Sequence, residues 1–155
     1  MRDRLPATPY RPGLLLVGIA QLTVSAQALL MPRSFRDDFP LGRGWVETLS
    51  PAYDEHLIYD YGSFTLGAAL GLVLAAVWLD RRVVQLAIIS WLAGASIHFG
   101  YHLTTIDEYS TADNLGSLGA LLLYVVVPAA LLWKTRRDDG AHAESPGSSR
   151  ARPAP

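Results

Sequence analysis

The chain has 155 residues, 50% of them hydrophobic, a formal net charge of -1 at pH 7 and no cysteine. A chain of this length fits one compact unit. The lack of cysteine excludes disulfides, thiolate metal sites and Cys-attached haem. The balanced charge gives no indication of a nucleic-acid partner.

Four apolar runs organise the chain, and none of them contains Lys, Arg, Asp or Glu. Each run has about 18 to 20 residues, close to the length that a helix needs to cross a bilayer core of ~30 Å. The runs are Gly13–Met31, Gly62–Leu79, Val83–Tyr101 and Leu115–Trp133. Helices of a soluble bundle would each show a polar face, and these do not. The predicted fold class is therefore all-α, an integral membrane four-helix bundle in contact with the lipid bilayer.

The segments outside the runs are predicted to be irregular. Met1–Pro12 should form an extended N-terminal segment, Pro32–Ser50 a loop, and residues 134–155 a disordered tail rich in Gly, Ser, Pro and Ala. Within the first run, Ser25–Ala28 resembles the small-x-small cleavage site of a signal peptide, so that this run is either a retained span or a removed leader. Pro128 predicts a kink in the last span.

The second span is predicted to begin near Pro51, before its apolar run. Ser50 can cap the helix, Pro51 suits its first position, and Asp54 and Glu55 can complement the helix dipole. The second and third spans are then joined only by Asp80–Arg82, which predicts antiparallel neighbours.

The distribution of Lys and Arg predicts the orientation. The N-terminal segment, the short turn and the C-terminal flank carry three, two and three of these residues, whereas the Leu103–Asn114 loop carries none. The Pro32–Ser50 loop has three, interspersed with acids. Because Lys and Arg are enriched in cytoplasmic loops, we expect a multi-pass protein of the cytoplasmic membrane with both termini in the cytoplasm.

Small residues predict how the second and third helices pack. Ser63, Gly67 and Gly71 recur at every fourth position of the second helix, and Ser90 and Gly94 do so on the third. Stripes of this kind let two helix backbones approach closely in lipid. We therefore predict that the two stripes face each other.

Ionisable side chains at the ends of these two helices form the candidate site. His56 and Asp60 are an i,i+4 pair, as are His98 and His102, so that each pair projects from one helix face. Together they predict a group of three histidines and one carboxylate, with Glu55 as an outer or alternative ligand. Such a donor set suits a divalent transition metal such as zinc, or else copper or iron(II).

Two other interpretations of the same residues stay open. Asp60 can hydrogen-bond a histidine only to hold two helices in register, as polar residues in membrane interfaces often do. The protein would then be a structural accessory subunit of a membrane complex, with a membrane-protein partner or a second copy of itself. Alternatively, histidines beside an acid titrate in a range useful for redox or quinone-linked chemistry. No motif identifies a catalytic residue or a reaction.

Gln21, the one strongly polar residue near mid-membrane, is expected to hydrogen-bond a neighbouring helix.

The segment Tyr53–Gly62, followed by a short basic turn and a third span that ends in histidine, resembles a group of uncharacterised small bacterial four-helix integral membrane proteins. These proteins are loosely similar to DoxX in size and number of spans. The resemblance covers about Gly13 to Trp133 and implies a four-helix fold in the inner membrane. DoxX relatives work beside quinone-linked redox proteins, but no residue of this chain indicates that it shares this chemistry.

Overall fold

Four long helices carry the four apolar runs in the computed structural model of the chain, which describes residues 4–143, with side chains as far as residue 137. The helices are α1 Ala7–Leu30, α2 Pro32–Asp38, α3 Trp45–Leu49, α4 Glu55–Trp78, α5 Arg81–Leu103 and α6 Thr111–Ala143, with a 3-10 turn at Ile106–Glu108. The predicted all-helical fold is confirmed, and α1, α4, α5 and residues 111–137 of α6 are long and apolar enough to cross a membrane. This is the architecture of a multi-pass membrane protein.

The helices extend beyond the apolar runs at both ends of the chain. α1 begins at Ala7, and only Thr8 within it has non-helical backbone angles, so that the predicted extended segment is wrong for residues 7–12. α6 continues to Ala143, so that residues 134–143 of the predicted tail are helical. The rest of that tail, residues 144–155, lies outside the described part of the chain.

Backbone and side-chain hydrogen bonds close one end of the molecule, which we call the turn end. The connection between α4 and α5 is Leu79–Asp80, and the Asp80 carboxylate caps α5 by accepting the N–H groups of residues 82 and 83. The N–H of Leu5 donates to the carbonyl oxygen of Leu79 at 2.8 Å. Arg81 Nη1 donates to the carbonyl oxygen of Thr135 at 2.8 Å. The N-terminal segment, the α4–α5 connection and α6 therefore meet at this end.

The closest helix pair is α1 with α4. A Cβ atom added at Gly18 would lie 2.9 Å from Val73 Cγ2 and 3.3 Å from the carbonyl oxygen of Ala69. A Cβ atom added at Gly62 would lie 2.8 Å from Leu29 Cγ. The missing side chains of these two glycines let the helices approach, as small residues do in membrane interfaces.

The predicted packing of α4 against α5 through small residues does not form within the described chain. A Cβ atom at Gly67, Gly71 or Gly94 would have no neighbour within 4 Å, and Ser63 and Ser90 are exposed. The small residues that α4 does bury are Gly62, Ala69, Ala75 and Ala76. Gly62, Ala69 and Ala76 recur every seven residues and face α1. Residues seven positions apart lie on nearly the same side of a helix, so they can contact one partner helix along its length. Residues four positions apart turn progressively away from that partner.

Apolar packing fills the half of the molecule nearer the turn end. Its main cluster includes Leu14 and Val17 of α1, Leu72 of α4, Ile88 of α5 and Leu131 of α6. A second, smaller cluster lies at the opposite end and consists of Ala28, Phe35 and Ile58 with partly buried neighbours. We call this opposite end the chamber end, because the interior there contains a large cavity.

Candidate functional site

A cavity of about 590 Å³ lies at the chamber end, and residues from all six α-helices line it. We call it the chamber. Eight of its described lining residues are exposed: Ser50, Ala52 and Asp54 before α4, Leu57 and Phe64 of α4, His98 and Tyr101 of α5, and Ala120 of α6. Half of them lie on α4 and α5, so we place the mouth of the chamber between these two helices.

Aromatic side chains supply much of the chamber wall. Eight of the lining residues are aromatic: Phe35, Phe39, Trp45, Tyr61, Phe64, Tyr101, Tyr109 and Tyr124. Several of these rings touch one another in sequence. Phe35 stacks on Tyr61 with ring centroids 5.5 Å apart and contacts Phe39 at 5.1 Å. Phe39 and Tyr109 both contact Trp45 at 6.4 Å.

The ring contacts continue into the predicted histidine pair. Tyr109 stacks on His102 with centroids 6.2 Å apart and nearly parallel planes. His102 and His98 meet edge to face at 4.8 Å, as the i,i+4 spacing predicts. A continuous series of rings thus leads from α4 through α2 and α3 to α5.

The segment that contains α2 and α3 forms the roof of the chamber. It is tied to α6 through the carboxylate of Asp113, which accepts hydrogen bonds from Arg43, from Trp45 Nε1 at 2.7 Å and from the Ser110 hydroxyl. The Tyr109 hydroxyl donates to the carbonyl oxygen of Trp45 at 2.7 Å. The predicted loop Pro32–Ser50 is therefore an ordered cover, held by side chains from the other half of the sequence.

Tyr109 is partly buried beneath this cover. Burial raises the pKa of its phenol to about 12, and Tyr101 and the negative charge of Asp113 add to the shift. The hydroxyl group is protonated at neutral pH, as an unshifted phenol would be, and the raised pKa extends its hydrogen bond to the carbonyl oxygen of Trp45 to higher pH.

Among the residues that the structure describes, Arg36 of α2 is the one arginine or lysine in the chamber wall, and two carboxylates compensate its charge. Its guanidinium forms ion pairs with Asp37 and Glu47 and donates to the carbonyl oxygen of Pro51. The guanidinium therefore holds α2, α3 and the following linker together.

The predicted start of α4 is wrong by four residues. Glu55 is the first helical residue, and Asp54 rather than Ser50 is the cap, with its carboxylate accepting the Leu57 N–H at 3.1 Å. Ser50 instead ends α3, because its own N–H donates to the carbonyl oxygen of Val46. Glu55 lies in the first turn of α4 and is exposed.

The predicted four-residue group is divided between the chamber and its surroundings. His56 Nε2 lies 3.5 Å from Asp60 Oδ2, so this i,i+4 pair forms, but the His56 side chain is 87% exposed. Asp60, His98 and His102 line the chamber, whereas Glu55 and His56 do not. Between residues 4 and 143, no group of three or more His, Cys, Asp or Glu residues converges in a way that could hold a metal ion. The predicted unit of three histidines and one carboxylate is therefore not assembled.

His102 has an unused hydrogen-bonding atom. Its Nδ1 is buried and has no hydrogen-bond partner among the described residues. A buried polar atom without a partner is destabilising by about 1–3 kcal/mol relative to a satisfied one.

Gln21 contributes to the chamber wall, although it was expected only to join two helices. Its side chain is buried and donates within α1 to the Ser25 hydroxyl at 3.4 Å. The Gln21 side chain also hydrogen-bonds Tyr61 of α4, and the Ser25 hydroxyl lies 2.8 Å from that of Thr65 in α4. The expected hydrogen bond to a neighbouring helix is thus confirmed.

Sequence reasoning missed the aromatic lining and the roof. A signal was present, since Phe35, Phe39 and Trp45 are concentrated in the short connection between the first two spans. Aromatic residues in that position are also common at membrane interfaces, so the pattern alone does not indicate a cavity. Comparison with known proteins gives no significant match to a protein family, a curated protein or a solved structure.

Proposed function

We propose that this chain is a multi-pass protein of the cytoplasmic membrane that binds a small amphipathic molecule in the chamber. The observation that carries the proposal is the chamber itself. Its volume of about 590 Å³ falls in the range of about 300–1,000 Å³ that is typical of ligand sites, which are mostly apolar with a few placed polar groups.

The arrangement of polar and apolar groups supports an amphipathic ligand. The interior is lined mainly by aromatic and aliphatic side chains, whereas Asp60 and His98 lie toward the mouth. A ligand with an apolar body and a polar head could therefore bury its body among the rings and keep its head near the mouth.

The mouth also suits a ligand that arrives from the bilayer. It lies between two helices that are each long and apolar enough to cross a membrane. A molecule dissolved in lipid could then enter sideways without crossing water. The charge distribution favours cytoplasmic termini and an outward-facing chamber end, and reporter fusions after Asp80 and after Thr105 should report cytoplasm and exterior, respectively.

The test of ligand binding uses a neutral probe of suitable size, 4-phenylbutanol. The purified protein is titrated calorimetrically in dodecyl maltoside micelles, with empty micelles as the blank. Ala120 and Ala130 are both exposed on α6, but only Ala120 lines the chamber. We expect Ala120→Trp to weaken binding because the indole occupies part of the chamber, and Ala130→Trp to leave it unchanged. Equal binding by both variants would refute the proposal, as would absence of binding to the parent protein by this alcohol and by the amine and the carboxylate with the same phenylbutyl body.

A further inference from the structure

The chamber end carries a strong excess of negative charge. Residues 32–60 and 103–114, which form this end, contain nine carboxylates and three arginines. Two of these arginines are paired, Arg36 with Asp37 and Glu47, and Arg43 with Asp113. A surface of this charge attracts cations and repels anions over several ångströms.

The chamber wall has the same sign of charge as its surroundings. Within the described part of the chain, Asp54 and Asp60 are its two carboxylates, and Arg36 is its one permanently cationic residue. The guanidinium of Arg36 already has two carboxylate partners, and only its buried Nε has no partner among the described residues. A carboxylate or phosphate head group would therefore meet net negative charge there.

The aromatic lining independently favours a cation. Eight aromatic side chains surround the space, and the face of each ring attracts a positive charge held within about 6 Å of its centroid. Arg33 already makes such a contact with Tyr53, at 4.7 Å from the ring centroid, beside the roof.

The carboxylate of Asp60 adds an acceptor at the mouth. Asp60 lines the chamber and its side chain is 49% exposed, and an ionised carboxylate accepts hydrogen bonds through both oxygens. A protonated amine offers both a positive charge and N–H donors to this carboxylate.

We propose that the chamber is selective for an organic cation, a protonated amine carried on an apolar body. This inference rests on the proposed function, since it identifies the chemical class of the ligand for the same chamber. The apolar body lies among the rings, and the ammonium group lies at the mouth beside Asp60.

Three probes that share one body test the selectivity: 4-phenylbutylamine, 4-phenylbutanol and 4-phenylbutyrate. At pH 7 they are cationic, neutral and anionic. We expect the amine to bind about tenfold more tightly than the alcohol, the scale of one desolvated cation–π contact, and the carboxylate to bind most weakly. If the alcohol or the carboxylate binds as tightly as the amine, the inference is wrong while ligand binding stands. If none of the three binds, the proposed function itself fails.

Two variants, Asp60→Asn and Asp107→Asn, test whether the preference for the amine comes from a contact in the chamber or from the overall negative charge of the chamber end. Each removes one negative charge from an accessible side chain, but Asp107 does not line the chamber. We expect Asp60→Asn to remove most of the preference for the amine over the alcohol, and Asp107→Asn to retain it. Equal preference in the two variants would overturn the role of the chamber wall, and thermal unfolding of both checks that they are folded.

Discussion

The contact between α1 and α4 gives the sharpest quantitative prediction. In Gly18→Ala the new Cβ would lie 2.9 Å from Val73 Cγ2, about 0.6 Å inside the shortest favourable carbon–carbon separation. Valine is stiff about χ1, and the carbonyl oxygen of Ala69, 3.3 Å away, belongs to the helix backbone. The two helices must therefore move apart, and such overpacking destabilises a folded protein by about 1–3 kcal/mol.

Gly67→Ala is the matched control, because its Cβ would have no neighbour within 4 Å. Both glycines lie well inside long helices, so both substitutions gain about 1 kcal/mol of helix propensity. That gain cancels in the comparison. We expect Gly18→Ala to be less stable than Gly67→Ala by about 1–3 kcal/mol in reversible unfolding from mixed detergent micelles. Equal free energies of unfolding would show that α1 and α4 do not approach as described.

Three further predictions concern the chamber end. Asp113→Asn should loosen the roof, because the Asp113 carboxylate accepts hydrogen bonds from Arg43 and Trp45. The rate of amide hydrogen exchange in residues 39–50 should therefore rise in this variant and stay unchanged in the control, Asp107→Asn. Tyr109 has a pKa of about 12 in the folded chain, above its usual 10, so its contribution to stability is complete below pH 10 and is lost as the pH rises from 10 to 12. The melting temperature of Tyr109→Phe should therefore fall less over that interval than that of the parent, and an equal fall would contradict this. His56→Gln and His102→Gln should be additive in stability with and without zinc, since only His102 lines the chamber; a coupling that grows with zinc would restore the metal site.

The four spans could be predicted because the signal is local. A run of about 20 residues without charge fits the thickness of a bilayer, and no distant contact is needed to recognise it. The i,i+4 pairs could be predicted for the same reason, because helical geometry alone brings His56 to Asp60 and His98 to His102.

Helix boundaries were harder to predict because neighbouring residues compete for the same role. Ser50 and Asp54 can both cap a helix, and the sequence does not show that Ser50 is needed to end α3. The ends of α1 and α6 show the same limitation. Both helices continue past the apolar run into residues that a hydropathy argument assigns to water, because helix formation does not stop where the membrane does.

The roof could not be predicted, because it depends on contacts between distant parts of the chain. Arg43 and Asp113 are separated by 70 positions, and neither the charge nor the spacing of either residue identifies the other as its partner. Until those contacts are known, Phe35, Phe39 and Trp45 are only aromatic residues in a loop.

The prediction that the small residues of α4 and α5 pack together is wrong for the same reason that the chamber exists. A very short connection between α4 and α5 brings their adjoining ends together, but it does not require close contact along their whole length. α5 packs instead against α6, where Trp91 donates to the carbonyl oxygen of Tyr124 at 2.8 Å. α4 packs against α1 through its other set of small residues, Gly62 and Ala69. Since each of the two helices takes its closest contacts from a different partner, the space between them toward the chamber end stays open. The absence of the predicted α4–α5 contact is thus what provides the chamber with its mouth.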